Sequence, residues 1–215
     1  MGKRKRDLLI GLMFVALIAA LGLGQSVVDQ TAVAQAQGGV EAPMFVVDPL
    51  WPKPLPNHWV MGMTIGVAVD ARDHVFIIHR PGSVSAGEAP AARGNARECC
   101  EPAPPVLEFD PAGNLVGSWG GPGQGYEWPE SNHGLAFDQH GNIWIGGNGE
   151  NDAHILQFTR DGRFLQQVGR SGANAGSNDN NNFGRVAKVF VDPLENEVYV
   201  SDGYLNKRVV VIDAD

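Results

Sequence analysis

The feature that most constrains this chain is that it repeats itself. Gly66-Val67-Ala68-Val69-Asp70 is followed by Ala71-Arg72-Asp73-His74 and then Val75-Phe76-Ile77-Ile78. The same order returns in Gly134-Leu135-Ala136-Phe137-Asp138, Gln139-His140-Gly141-Asn142 and Ile143-Trp144-Ile145, and again in Val189-Phe190-Val191-Asp192, Pro193-Leu194-Glu195-Asn196 and Glu197-Val198-Tyr199-Val200. Each copy reads as strand, tight turn, strand. The flanks are β-branched or aromatic, and the turns carry Asp, Gly, Asn or Pro, which supply the positive or fixed φ that a hairpin needs. A repeat at this spacing marks an array of one supersecondary unit.

A second hairpin follows each of the first two copies. Val106-Leu107-Glu108-Phe109-Asp110, a turn, and Leu115-Val116-Gly117-Ser118-Trp119 line up with Ile155-Leu156-Gln157-Phe158-Thr159, a turn, and Phe164-Leu165-Gln166-Gln167-Val168. Four antiparallel strands per repeat is a propeller blade, so the expected fold class is an all-β propeller. In the third copy the second hairpin starts at Arg208 and the sequence stops at Asp215, so about two and three-quarter blades are expected here. Asp70, Asp138 and Asp192 are 68 and 54 residues apart. The longer first interval is explained by an insertion, Pro81 to Pro104, without hydrophobic period, which reads as a loop at a blade edge. Gly169 to Asn182 reads as an inter-blade loop. Upstream, Phe45-Val46-Val47-Asp48 reads as one further short strand that could complete a last blade.

Composition supports this and narrows the partners. Among 215 residues there are 28 Gly and 14 Pro, turn-rich but globular, and 16 Lys and Arg stand against 24 Asp and Glu. Four of the cations are Lys3, Arg4, Lys5 and Arg6, so removal of the first 34 residues leaves 12 cations against 22 acids. Nucleic acid is excluded as partner, because phosphate binding needs clustered cations. Divalent cations or neutral ligands fit better. The basic start, the apolar run Leu8 to Gly24 and the small-residue sites at Ala32-Val33-Ala34 and Ala34-Gln35-Ala36 read as a secretory signal peptide, or else as an uncleaved amino-terminal anchor. The expected division is therefore residues 1–36 as signal or anchor, 37–63 as lead-in with a closing strand, and 64–215 as blades. The body is expected outside the cytoplasm, periplasmic or extracellular. Cys99 and Cys100 are adjacent and make no disulfide framework; a vicinal disulfide, a pair of thiols or an intermolecular link all remain open.

Read by themselves, the polar residues of the blades have ordinary roles. His133 is a hydrogen-bonded surface or channel residue, Tyr204 an aromatic between blades, and Arg80 the partner of one of the many acids. His79 points to the core, whereas His74, His140 and His154 are expected to be solvated. Trp119, Trp128 and Trp144 are expected to be core. The run Gly120-Gly121-Pro122-Gly123-Gln124-Gly125 lacks the Lys and Ser/Thr of a phosphate loop.

Val200-Ser201-Asp202-Gly203-Tyr204-Leu205-Asn206-Lys207-Arg208-Val209 resembles the NHL repeat, whose blades carry Asp, Asn and Arg near this point. Within that family the chain is most similar to the peptidyl-α-hydroxyglycine α-amidating lyases, over roughly Gly62 to Asp215. The supporting stretches are Ile65 to Asp70, Ile78-His79-Arg80, His133-Gly134-Leu135-Ala136-Phe137-Asp138, and Ser201-Asp202-Gly203-Tyr204 preceded by Ser177-Asn178-Asp179-Asn180. The resemblance implies six blades in the complete propeller and a zinc ion in the central channel on three histidines, of which His133 matches the first. It implies Tyr204 as the catalytic tyrosine, Arg80 as the arginine facing the substrate carboxylate, and Val67 and Leu135 as positions whose main-chain oxygens hold a structural calcium. Zinc would polarise a hydroxyl or water, a tyrosine beside such a cation can act as base, and an arginine fork matches a carboxylate. A cysteine pair found near the tyrosine in animal members is absent, Gly184 and Leu205 standing at its positions.

The expected function is thus that of an exported propeller, resembling a bacterial and truncated amidating lyase, which cleaves a carbon–nitrogen bond in a small carboxylate-bearing or peptide substrate and releases glyoxylate. This fragment alone is expected to be inactive and to associate through its exposed edges. The alternative is a non-catalytic propeller that binds a peptide, a glycan or an exported protein. Contact with a membrane is expected only through an amino-terminal anchor.

Overall fold

The computed structural model describes residues 11–23, 25, 43–89 and 99–214. They fall into two units, Met1–Asp48 and Pro49–Asp215. The first holds an exposed helix over residues 11–23. Among the described residues no helix is long and apolar enough to cross a membrane, and the small-residue sites at 32–36 lie outside those described. Phe45-Val46-Val47-Asp48, expected to complete a last blade, joins no ladder among the described residues, which include no such blade, and its apolar side chains are exposed. A short apolar run forms a strand only where a partner supplies the hydrogen bonds.

The second unit is all-β. Its strands are β1 (Trp59–Val60), β2 (Met63–Val69), β3 (Val75–Arg80), β4 (Glu101–Pro102), β5 (Val106–Phe109), β6 (Leu115–Trp119), β7 (Asn132–Phe137), β8 (Ile143–Gly147), β9 (His154–Phe158), β10 (Phe164–Gly169), β11 (Lys188–Asp192), β12 (Glu197–Asp202) and β13 (Arg208–Asp213). They form antiparallel sheets in the orders β2-β3-β5-β6, β7-β8-β9-β10 and β11-β12-β13, with a short parallel pair β1-β4. Simple up-and-down order within each sheet follows from the tight turns of the repeat. In the first turn the Asp70 carboxylate accepts main-chain hydrogen bonds from Arg72 and His74, and Asp138 does the same for His140 and Asn142. The residue three after each aspartate, Asp73 or Gly141, takes positive φ. After Asp192 the turn is one residue longer and the positive φ moves to Asn196.

Each sheet shares a core with the next, in the manner of consecutive propeller blades. Phe76, Ile78 and Val106 of the first sheet pack with Leu135, Ile143, Ile145, Leu156 and Phe158 of the second. Trp144 and Ile155, on the other face of the second sheet, pack with Val189, Val191, Val198 and Val200 of the third. Alternation puts residues i and i+2 on one face, so one β-strand feeds both cores. The first strands of neighbouring sheets come so close that a Cβ built on Gly66 would lie 2.9 Å from Gly134 Cα. The outer face of the first sheet, with Ile77, Leu107 and Phe109, is covered by Trp51, Leu55, Trp59 and Met61 from a strap that precedes it.

Three local expectations change. The insertion Pro81 to Pro104 is not wholly loop: Pro81–Ser83 is a 3-10 turn and β4 lies within it, pairing with the strap. Residues 90–98 of that insertion lie outside those described, and Cys99 and Cys100 are joined as a vicinal disulfide. His154 is buried rather than solvated, its Nε2 donating to the Glu127 carbonyl, and His74 sits in an ion cluster with Glu108 and Arg160. A histidine at a strand start is carried inward when its sheet is covered on both faces. Trp144 is fully buried as expected, and Trp119 and Trp128 flank the first shared core half-buried.

Candidate functional site

Arg80 ends β3, His133 stands one residue into β7, and Tyr204 lies in the turn after β12. Because every sheet runs up and down in the same sense, these places fall at one end of the three sheets. The Asp70, Asp138 and Asp192 turns fall at the other. His133 is aimed by a bulge: its register partner is Gly146 while Leu135 pairs Ile145, with Gly134 between them at φ 75°. A bulge of this kind re-aims one side chain without breaking the sheet.

Tyr204 is held by the network beneath it. Asp202 is buried and accepts from the Asn206 side chain and from Arg208 Nε, both at 2.8 Å. Arg208 Nη2 also donates to the Asn182 carbonyl at 2.6 Å, and Leu205 N–H donates to the Gly184 carbonyl. The turn is thereby fixed, and the Tyr204 hydroxyl lies 3.1 Å from His133 Nε2, with the two rings edge to face and 5.4 Å between centroids. Burial pushes the His133 imidazole below its usual pKa, and the Arg80 cation adds to this, against a partial offset from the Ala187 main chain. His133 is therefore neutral near pH 7, so Nε2 can present a lone pair.

Arg80 is tied to the second sheet. Its Nε donates to the Asn132 carbonyl at 3.1 Å and Nη2 to Asn148 Oδ1 at 2.8 Å, while Asn132 returns a bond from its amide to the His79 carbonyl. Among the described residues no carboxylate forms an ion pair with it, although the chain is acidic. Arg80 also borders a cavity of about 610 Å³ walled by Met63, Pro81, Pro105, Trp128, Pro129 and Glu130. A guanidinium with amide partners only keeps its charge available to an anion.

Among the described residues no group of three or more His, Cys, Asp or Glu is placed to hold a metal ion. His133 fits zinc as one neutral imidazole, and among the described residues it belongs to no group of three such ligands. Val67 and Leu135 lie on β2 and β7, the edge strands that run beside each other, so each strand has carbonyls outside its ladder. Those main-chain oxygens suit a hard cation such as calcium.

The trio Arg80, His133 and Tyr204 gathers at one end of the sheets, with His133 touching Tyr204 directly and feeling Arg80 electrostatically. Val67 and Leu135 are mid-strand and stand apart from that contact. Sequence reasoning missed Asn132 and Asn148, which orient Arg80, and Arg185, whose carbonyl accepts from Tyr204 N–H. Asn132 was detectable as the neighbour of His133; nothing local in the sequence marks the other two.

No family model matches the chain. It is 30% identical over 158 residues to the peptidylglycine alpha-amidating monooxygenase of Rattus norvegicus and 29% identical over 157 residues to that of Mus musculus. Both alignments cover 69% of this chain, which spans only 15% of the length of either relative. Among solved structures, a protein of unknown function from Bacteroides caccae overlaps 70% of this chain and 46% of its own at 14% identity and TM-score 0.41. Virginiamycin B lyase from Staphylococcus aureus overlaps 70% and 41% at 11% identity and TM-score 0.36. Overlaps this slight carry no argument about the site.

Proposed function

We propose that the chain is part of an exported NHL-repeat propeller of the amidating-lyase type, which cleaves the carbon–nitrogen bond of an N-acyl-α-hydroxyglycine to give an amide and glyoxylate. The observation that carries this reading is the 3.1 Å contact between Tyr204 and His133 across two sheets, beside an arginine without a carboxylate partner among the described residues. The weak similarity to amidating enzymes supports it. The buried Asp202, held by Asn206 and Arg208, supports the NHL assignment.

In this reading Arg80 binds the substrate carboxylate through its free donor edge and so fixes the neighbouring carbinol. Tyr204, acting in its phenolate form, would take the proton of the carbinol hydroxyl as the C–N bond breaks and return it to the leaving amide nitrogen, which leaves the phenolate restored. Neutral His133, next to Tyr204, is proposed as one zinc ligand, its single lone pair then going to the metal in place of the Tyr204 hydroxyl; the main-chain oxygens of Val67 and Leu135 are proposed for calcium. Zinc, when bound, supplies Lewis acidity toward an oxygen of the substrate or water. A second reading is a non-catalytic propeller that binds a peptide, glycan or exported protein, for which the cavity of about 610 Å³ beside Arg80 would be the binding surface.

Glyoxylate release from an N-acyl-α-hydroxyglycine, assayed with added zinc on the complete propeller of which this chain is proposed to be part, separates the two. We expect Tyr204→Phe to lower kcat by about 10²–10⁴-fold and His133→Ala to abolish both activity and bound zinc. Turnover that survives both substitutions, or wild-type protein that binds substrate without turning it over, would overturn the lyase reading.

A further inference from the structure

The cavity of about 610 Å³ beside Arg80 lies where the connections of the first and second sheets meet, and its wall is of one chemical kind. Four of the wall residues are prolines, Pro81, Pro105, Pro122 and Pro129, and Met63 and Trp128 extend the apolar part. A proline ring has no side-chain rotamer by which to turn aside. Trp128 is pinned as well. Its ring packs against the first shared core, 5.8 Å from that of Phe158 and 6.5 Å from that of Tyr126, and a Cβ built on Gly120 would lie 2.8 Å from its Cη2. The wall is thus preformed, and an entering group loses little free energy to ordering it.

The polar side chains on this wall are already engaged. Ser83 Oγ donates to the Arg80 carbonyl and accepts the Met63 N–H, both at 2.7 Å. The Asn132 amide donates to the His79 carbonyl, and both Glu130 carboxylate oxygens accept from Asn151. Arg80 is the exception, since its Nη1 has no partner among the described residues. A charged tail would meet the Glu130 carboxylate or the prolines, neither of which welcomes a second anion. The molecule that fits has one carboxylate for Arg80 and a flat, neutral, apolar body for the wall.

The junction of the second and third sheets supplies the contrast. At the same end it holds a cavity of about 220 Å³ walled by Asn151, Asp152, Asn174 and Arg185. The proline and tryptophan wall therefore belongs to one junction and is not a by-product of the repeat.

We propose that the cavity beside Arg80 is an acyl subsite that selects an aromatic N-acyl group while Arg80 holds the glycine carboxylate. Only an amide and one carbon separate the ring of an N-aroylglycine from its carboxylate, so a molecule held at Arg80 carries its ring into the same cavity. The place of the carboxylate rests on the proposed function, whereas the choice of ring rests on the wall.

Binding is tested on the full chain in mild detergent, with tryptophan indoles labelled with nitrogen-15 and the Trp128 signal assigned by its loss in Trp128→Phe. N-benzoylglycine is expected to move that signal and to bind at least about 10-fold more tightly than N-acetylglycine, which lacks the ring, or benzamide, which lacks the carboxylate. Gly82→Leu fills the cavity from its rim, where a Cβ meets nothing within 4 Å, and should erase the benzoyl preference while leaving N-acetylglycine binding unchanged. Met63→Trp, at a position 62% exposed, should do the same, and circular dichroism checks that both variants fold. Equal affinities for the benzoyl and acetyl compounds, no shift of Trp128 at about 10 mM N-benzoylglycine, or a preference that survives both filling variants would overturn the proposal. On the complete propeller, kcat/KM should favour N-benzoyl- over N-acetyl-α-hydroxyglycine by the same factor. Equal turnover of the two would overturn the acyl subsite and leave the lyase reading standing; ring-selective binding without glyoxylate release would do the reverse.

Discussion

At the residue scale the most informative side chain outside the site is His79. It is fully buried, its Nδ1 accepting the Gly62 N–H at 3.0 Å and its Nε2–H donating to the Pro104 carbonyl at 2.9 Å. That geometry fixes the tautomer and leaves no room for a second proton, since protonated Nδ1 would face a donor. Burial accordingly pushes its pKa down, with a partial offset from the Pro104 and Ala103 main chain. The unfolded chain, with a histidine pKa near 6.5, then takes up protons before the native state does. Stability contributed by His79, and in the same sense by His133, is present above about pH 6.5 and drains away as the pH falls through the lowered native values. Urea midpoints measured from pH 7.5 to pH 5 should fall, and His79→Leu should remove part of that slope while costing about 2–4 kcal/mol for two stranded main-chain groups. A slope unchanged by His79→Leu would show that other groups carry it.

At the scale of the element, the close approach of β2 and β7 is the feature most exposed to test. A methyl at Gly66 would meet Ile78 Cγ2 at 2.8 Å and Gly134 Cα at 2.9 Å, and the second of these is main chain that cannot turn aside. Gly66→Ala is expected to lower stability by about 1–3 kcal/mol, read as a shift in urea midpoint. A loss below about 0.5 kcal/mol would mean that the strands part at no cost. Strands were legible in the sequence because alternation and Asp-initiated turns are local signals, and three copies reinforced one another. The strand expected at Phe45 to Asp48 depends on a partner blade outside the described residues, because pairing is not local and no partner ladder is written into those residues. The β1-β4 pair was hidden by the same blindness, since Glu101-Pro102 carries no strand pattern and owes its place to the strap. In the site, Arg80, His133 and Tyr204 were singled out only through the resemblance. The Tyr204–His133 contact spans 71 residues, and no short motif could announce it.

For the whole molecule, the relevant question is whether repeated sheets unfold one by one. Simple stacking would permit it, as in linear arrays. Here the second sheet contributes to both shared cores, and Arg160 adds a further tie. It reaches back from the second sheet to Asp70 and Glu108 of the first, and its guanidinium lies 4.7 Å from the centre of the Phe76 ring. Burial works against ionised Asp70, but hydrogen bonds from the His74 main chain, the Arg160 side chain and the Arg72 main chain hold its carboxyl far below the usual range. We expect tryptophan fluorescence and far-ultraviolet circular dichroism to trace one coincident denaturant transition. Arg160→Ala should lower its midpoint, by about 1–3 kcal/mol, and split it, with the first sheet melting early. A wild-type transition already split between the two probes would show that the sheets are independent.

The strap over the first sheet has a mechanical consequence. It is pinned by the Trp51 ring against Phe109 at 5.7 Å, by Lys53 N–H to the Gly113 carbonyl and by Lys53 Nζ to Asn114. Its contacts follow one another along the chain, so a pull from the amino-terminal side loads them in sequence and peels the strap instead of shearing a sheet. Tension would bare Phe109, Leu107 and Ile77 while the four-stranded ladder beneath still held, turning force on a tether into a newly exposed apolar surface.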